Sequence, residues 1–277
     1  MRRALSTHLF VHHRLNTAML QRIVNAGIPA VEIFCARQHL DYHNHQEVET
    51  LRSFLADSPL EVNSVHLPMF TDEHWGKGGP GTIVDIASPS KPKRIAAVDE
   101  VKRALDLADA FPFQFAVQHL GVGFDDDWSM HKVDAAFSSL EELKSFARQR
   151  GVEVLVENIP NALSSARKIV EFFEITHLNL GVCFDVGHAH LMEGVESAFE
   201  VLEDRIRSLH VHDNNGSEDK HRFPGFHDDG SIDWKQAMKL LRQGADRYPL
   251  LLELKEDPGM ADPLGQALKV FEFLESQ

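Results

Sequence analysis

Histidines and carboxylates recur in this chain at the ends of short apolar segments. His66 closes EVNSVHL (61–67), His119 closes QFAVQHL (114–120), and Glu157 with Asn158 closes EVLVEN (153–158). Asp185 closes LGVCFDV (180–186), and His188 follows it. His210 and His212 alternate in SLHVHDN (208–214), Asp219 and His221 come in the next loop, and Glu253 with Lys255 ends PLLLELK (249–255). A carboxylate on an otherwise apolar strand is costly unless it is paired or binds a metal. Imidazole with carboxylate is the donor set of divalent ions. A lone strand-end histidine is more often a satisfied core or surface residue, so the argument rests on the whole set. Nine candidates stand out as metal ligands: His66, His119, Glu157, Asp185, His188, His210, Asp219, His221 and Glu253. One Mg or Mn ion takes about six ligands, several of them water. Nine donors therefore allow two or three ions, or one ion with the remaining histidines gripping substrate oxygens. His210 and His212 share one face of their strand. His210 is the favoured ligand with His212 beside the substrate, or the two are reversed.

The elements that must gather these groups are legible from periodicity. Eight segments rich in Val, Ile, Leu and Phe read as strands buried on both faces. They are 4–11, 29–34, 61–67, 114–120, 153–158, 180–186, 208–214 and 249–255. Helical patterns alternate with them at 15–26, 46–57, 94–110, 133–150, 164–174, 195–204, 234–243 and 263–275. Eight strand–helix repeats of roughly 35 residues predict an α/β fold, a single-domain (β/α)8 TIM barrel over 1–277. The runner-up, an open doubly wound sheet, would want a Gly-rich phosphate turn after an early strand, and the chain has none. In a barrel the C-terminal strand ends converge on one pocket, which is where every donor above falls. Residues 68–93, rich in Gly, Pro and Ser, form a long connection after the third strand and read as a lid or substrate loop.

Composition narrows the class. Apolar residues make up 43% and charged residues 25% of 277, which excludes a disordered chain. No apolar run approaches the roughly 20 residues that cross a bilayer, and the N-terminus has no signal-peptide pattern. Cys35 and Cys183 have no metal spacing and read as reduced, buried thiols of a cytoplasmic protein. The net charge of −14 argues against a broad nucleic-acid surface, although a local basic patch remains compatible with it. The 17 histidines divide into those at strand ends and the others, including His12, His13, His43 and His45, which read as solvated.

In order along the chain, SVHLP, QHLG, VEN, CFDVGH, HVHDN, DKH and LELK resemble the xylose isomerase-like TIM-barrel superfamily. The resemblance spans about residues 30–255. Each motif is weak alone, and the ordered set is specific. That superfamily holds sugar and sugar-phosphate isomerases and epimerases, and also the endonuclease IV family of abasic-site nucleases. The nuclease resemblance implies a three-metal site on all nine candidates. The epimerase resemblance implies a smaller set: Glu157, Asp185, one histidine of the seventh strand, and Glu253. DVGH, HVHDN and HRFPGFHDDGSIDW, with Gly230 and Trp234, look more like the isomerase relatives than the nucleases.

Two chemistries follow. The favoured one is a sugar or sugar-phosphate isomerase or epimerase. In it Glu157 and Glu253 move the proton, and a divalent metal (Zn, Mn, Mg or Co, one to three ions per chain) stabilises the enolate. His212, Arg222, Lys255 and Asn158 would meet the substrate, with His188 and Arg222 on hydroxyl or phosphate oxygens. Phe70, Trp75 and Phe226 would form an apolar wall. The alternative is a multi-metal phosphoester hydrolase, for which only Arg37 and Gln38 suggest a groove-reading loop. A non-enzymatic sugar- or metal-binding barrel is the third reading. The expected partner is a small-molecule sugar or sugar phosphate, with no membrane and with nucleic acid disfavoured. Self-association into a homo-oligomer is an expectation from the resemblance alone.

Overall fold

A computed structural model describes residues 1–73 and 82–277. Eight parallel strands run β1 (Arg3–Ser6), β2 (Ala30–Phe34), β3 (Glu61–His66), β4 (Phe115–His119), β5 (Glu153–Glu157), β6 (Gly181–Asp185), β7 (Ile206–His210) and β8 (Leu250–Leu252). Their order is β7-β6-β5-β4-β3-β2-β1-β8. The sheet closes where Val211, just past β7, bridges Leu252 in parallel: Val211 N–H donates to Leu251 (3.0 Å) and Glu253 N–H donates to Val211 (3.2 Å). The fold is a single-domain (β/α)8 barrel, and closure leaves no open sheet edge.

Helices follow each strand: α1 (Thr17–Asn25), α2 (His45–Ala56), α3 (Lys91–Leu105), α4 (Met130–Arg148), α5 (Ala166–Thr176), α6 (Val186–Leu191), α7 (Val195–Leu202), α8 (Trp234–Leu241) and α9 (Pro263–Ser276). Short polar side chains start most of them. Asn16, Asn44, Ser129, Asp233 and Asp262 each accept a first-turn backbone N–H. The large apolar core lies between sheet and helices, with Phe172, Phe199 and Phe271 fully buried.

Inside the barrel, side chains alternate by twos along each strand. Phe115, Val117, Leu155 and Cys183 pack together there, as do Ala4, Ala30 and Leu251. The next residues on that face are His119, Glu157, Asp185 and Glu253, so the interior changes from apolar to ionisable within one step of the pleat. Cys35 and Cys183 are both free and buried.

Several boundaries differ from the sequence reading, including β8, which is Leu250–Leu252 against the 249–255 expected. The segment 4–11 is strand only to Ser6. Ser6 Oγ then accepts the His8 N–H, and Thr7–Phe10 forms one 3-10 turn. The seventh strand starts at Ile206 and ends at His210, with Val211 adding only a bridge, rather than spanning 208–214. An unanticipated short helix, α6, follows β6 because Asp185 caps it through the His188 N–H at 2.6 Å. The 68–93 segment carries one isolated antiparallel bridge, Phe70 to Ile83, and its last three residues already belong to α3. Its middle, including Trp75, lies outside the described residues.

Leu252 sits on the closing seam and is fully buried. Leu252→Ala is expected to destabilise the barrel by about 2–5 kcal/mol, read as a lower urea midpoint at unchanged slope. A loss below about 0.5 kcal/mol would show that the seam carries little of the stability.

Candidate metal centre

The barrel gathers all nine candidate ligands at its C-terminal mouth. Glu157 on β5 lies at the centre and is wholly buried. Its Oε2 faces His119 Nε2 at 3.0 Å and His66 Nε2 at 3.3 Å. Its Oε1 faces His210 Nδ1 at 3.1 Å and His188 Nδ1 at 3.3 Å. His210 Nδ1 also lies 3.2 Å from Glu253 Oε2 and 3.9 Å from Asp185 Oδ2. On the outer side, Asp219 faces His188 Nε2 at 3.1 Å and His221 Nε2 at 3.4 Å.

Among the described residues five overlapping donor groups have their ligand atoms within 4.8 Å of one another; three of them, His66–His119–Glu157, Glu157–Asp185–His210–Glu253 and His188–His212–Asp219–His221, between them take in all nine candidates, and the other two are His8–His221–Glu253 and His66–His210–Glu253. Both histidines of HVH therefore stand among the donors. His210 joins the central group, while His212 stacks on His221 (4.0 Å between ring centroids) and approaches Asp185 Oδ1 at 3.1 Å. The sequence alternatives, one histidine on metal and the other on substrate, become one histidine in the central group and one in the outer group.

The electrostatics are those of a cation site. Burial alone would raise the Glu157 carboxyl, but the imidazoles of His210 and His119 hold it well below the usual carboxylate range. Glu253 is pushed well above that range by burial. His210 opposes the push, and the charges of Glu157, Glu32 and Asp185 add to it. Burial lowers the His210 imidazole, yet the surrounding acids, Cys183 and Glu253 first, carry it well above its ordinary value. Among the described residues eleven buried polar side-chain atoms have no hydrogen-bond partner, and Glu32 Oε1, Asp185 Oδ2, His212 Nε2 and Asp219 Oδ1 are four of them. Buried polar atoms are normally satisfied. Three of them, Asp185 Oδ2, His212 Nε2 and Asp219 Oδ1, lie together in the donor groups, and that cluster of imidazole and carboxylate fits divalent ions.

The histidines are aimed by their other ring nitrogens. Nδ1–H donates to the backbone carbonyl of Leu67 from His66 (2.9 Å), of Asn158 from His188 (3.1 Å) and of Glu253 from His221 (3.0 Å). Each bond turns Nε2 toward a carboxylate, the arrangement seen around metal-bound histidines.

The expected substrate groups behave differently from one another. Asn158 is fully buried, and its amide is consumed by the Asp185 backbone: Nδ2 donates to the carbonyl and Oδ1 accepts the N–H, both at 2.8 Å. Through these two bonds it holds Asp185 in place. Arg222 and Lys255 do line a cavity of about 660 Å³ beside the centre, together with His8, Phe34, Met69 and Phe70. Asp219 and His221 form part of its wall. Phe226 does not belong to this wall; it stands over Phe273 and borders a separate cavity with Met260. Arg37 is held by Asp41 (3.2 Å) and Glu73 (2.9 Å), so its charge is already compensated.

Two acidic or basic groups escaped the sequence reading. Glu32 on β2 is wholly buried and meets His210, and His8 sits at the mouth with Nδ1 on the Leu254 carbonyl (3.1 Å). Burial, with His221 and Lys255, lowers the His8 imidazole well below its ordinary value. A glutamate inside the apolar run AVEIF was the one signal available for Glu32. His8 and the equally buried His39 also depart from the solvated reading given to the other histidines.

Two glycines keep the outer group in place. A Cβ on Gly187 would lie 2.1 Å from the His212 ring, and one on Gly230 would lie 2.6 Å from Asp213 Oδ2. Asp213 Oδ2 in turn accepts Trp234 Nε1–H at 2.7 Å. The spacing of DVGH, HDN and GSIDW is thus a packing requirement around His212.

A family model described as xylose isomerase-like TIM barrel matches residues 20–277. An uncharacterized protein, y4fM, of Sinorhizobium fredii is 28% identical over 226 residues, 76% of this chain and 72% of that one. Among relatives with named activities, an inosose dehydratase of Histophilus somni is 29% identical over 46% of this chain and 49% of its own. A probable endonuclease 4 of Natranaerobius thermophilus is 28% identical over 52% of this chain and 57% of its own. In fold, a D-tagatose 3-epimerase-like protein superposes with a TM-score of 0.77 at 24% identity, covering 100% of this chain and 96% of the other.

Gly187→Ala should leave α6 helical, since alanine favours helix, while forcing the His212 ring out of its place. A crystal structure of the variant would check this; a His212 ring still stacked on His221 would mean that the backbone absorbs the methyl.

Proposed function

The chain belongs to the xylose isomerase-like TIM barrel family, and from that premise we propose that it is a divalent-metal-dependent isomerase or epimerase of a sugar or sugar phosphate. The observation that carries this reading is the central group, Glu157, Asp185, His210 and Glu253, beside a cavity of about 660 Å³. A cavity of that size suits a small polar substrate. Relatives named as an epimerase-like protein and as an inosose dehydratase support the same substrate class.

Those four side chains would hold the ion and offer four of about six positions. A divalent ion bound there supplies Lewis-acid stabilisation of the charge that builds on a carbonyl oxygen when the neighbouring carbon loses its proton. Glu157 and Glu253 reach the centre from β5 and β8, and both approach His210 Nδ1. One takes the proton from the substrate carbon and the other returns a proton to it. Arg222, steadied by Asp229 at 3.1 Å, presents a planar guanidinium to hydroxyl or phosphate oxygens, with Lys255 in the same wall. Phe34, Met69 and Phe70 form the apolar side of the cavity and exclude water from the reacting carbon.

One observation favours a second reading, a multi-metal phosphoester hydrolase. Two further donor groups adjoin the central one, and Glu157 is common to two of the three. In that reading the three groups would hold two or three ions (Zn, Mn, Mg or Co), and Glu157, common to two of the groups, would serve as a ligand and move no proton. A relative named as a probable endonuclease 4 supports it.

Metal content and isotope exchange separate the two. Purified protein loaded in turn with Mn, Co, Zn and Mg is mixed with ketoses and their phosphates in D2O, and the carbon-bound protons are followed by NMR. The expected result is exchange next to a carbonyl with about one ion per chain. Glu157→Gln and Glu253→Gln should each slow the exchange by about 10²–10⁴-fold. Two or three ions per chain, no exchange on any sugar, and cleavage of an abasic-site oligonucleotide that Glu157→Gln abolishes would overturn the first reading in favour of the second.

A further inference from the structure

Glu32 is a buried carboxylate that the chemistry above leaves unused. It sits on β2 with no exposed surface, on the inward face, beside Ser64 of β3. β2 and β7 are not neighbours; β1 and β8 lie between them. Glu32 nevertheless reaches His210 of β7 across the barrel interior, with Oε2 3.1 Å from Nε2. The same oxygen accepts the Ser64 hydroxyl at 2.8 Å, which fixes the carboxylate's direction.

This contact sets which nitrogen of His210 is available. An ionised carboxylate only accepts hydrogen bonds, so Nε2 donates to Glu32, while Nδ1, which meets Glu157 and Glu253, is the nitrogen a cation would take once its own proton leaves. His66, His188 and His221 are oriented the other way, each by a backbone carbonyl on Nδ1. His210 is therefore the histidine whose aim depends on a side chain, and that side chain is charged. A carboxylate on the far nitrogen also makes the near nitrogen a stronger donor to a cation. No other observed contact of Glu32 explains a buried charge here, since its second oxygen has no partner.

We propose that Glu32 is a positioning residue for the central group: through His210 it fixes the imidazole with Nδ1 toward Glu157, Asp185 and Glu253, and so tightens the divalent cation held there. The inference rests on the reading that these residues bind such an ion. Glu32 itself touches no reacting atom.

Two variants and two measurements test it. Zn²⁺ and Mn²⁺ affinities of the metal-stripped protein are measured by chelator competition for wild type, Glu32→Ala and Glu32→Gln. The hydrogen position on His210 is read in the Zn²⁺-loaded protein from two-bond ¹⁵N–¹H correlations. Glu32→Ala is expected to weaken the tightest site by about 10–100-fold. Its His210 should lose the fixed Nε2–H form, and its metal-free melting temperature should stay at or above that of wild type. Glu32→Gln keeps an oxygen able to accept from Nε2–H, so it should retain the tautomer and fall between the other two in affinity. Wild-type affinity and tautomer in Glu32→Ala would overturn the proposal. If Glu32→Ala does not fold, Glu32→Gln decides: affinity equal to wild type overturns the proposal, because the charge would then contribute nothing. Wild-type protein that binds neither ion refutes the metal reading of the centre instead, and a crystal structure of metal-free Glu32→Ala then judges Glu32: a His210 ring that keeps its place overturns the positioning role.

Discussion

Glu32, Glu157, Asp185 and Glu253 share one dry region at the mouth of the barrel, and each is at most 2% exposed. Like charges so placed cannot all stay ionised without compensation, because desolvation and mutual repulsion act together. The structure answers with imidazoles. His210 touches three of the four carboxylates, and Glu157 alone has four histidines around it. The imbalance that remains is visible in Glu253, pushed well above its ordinary range, and in the unpartnered oxygens of Asp185 and Asp219. A divalent cation is the species whose charge and oxygen preference meet both needs.

The rest of the fold can be understood as holding that crowd still. The seam between Val211 and Leu252 brings His210 and Glu253 side by side. Asn158 ties the chain after β5 to Asp185 through both polar atoms of its amide, and Asp185 caps α6 through the His188 N–H, so two donors are set by one junction. Gly187 leaves room for the His212 ring, and Trp234 fixes Asp213 behind it. These supports are hydrogen bonds and close contacts on rigid strand ends, which is how side chains are held to the tolerance that metal sites require.

The cavity beside the centre mixes charged and apolar walls. Arg222 and Lys255 line it together with Phe34, Met69 and Phe70, and Asp219, Glu256 and Asp257 add acidic groups. Over the chain as a whole, a net charge of −14 offers little to an extended polyanion.

The eight-strand alternation, the barrel and the gathering of the nine donors were legible because strand ends in a closed barrel must converge, whatever the loops do. Boundaries moved where local hydrogen bonding competed with periodicity, as at Ser6 and Asp185. Asn158 looked like a substrate group, because its type is readable from sequence while its partner is not. Phe226 failed as part of the wall for the same reason: an aromatic in a loop does not declare which cavity it faces. Glu32 and His8 stayed hidden inside apolar segments, since their meaning comes from residues on non-adjacent strands. By itself the sequence determined the periodicities, and with them the barrel and nine of the groups that meet at its mouth. Only the tertiary structure decided how the donors divide into groups, and which nitrogen of His210 faces the centre. Periodicity acts along the chain, whereas grouping and ring orientation depend on distances across the barrel, which closure alone creates.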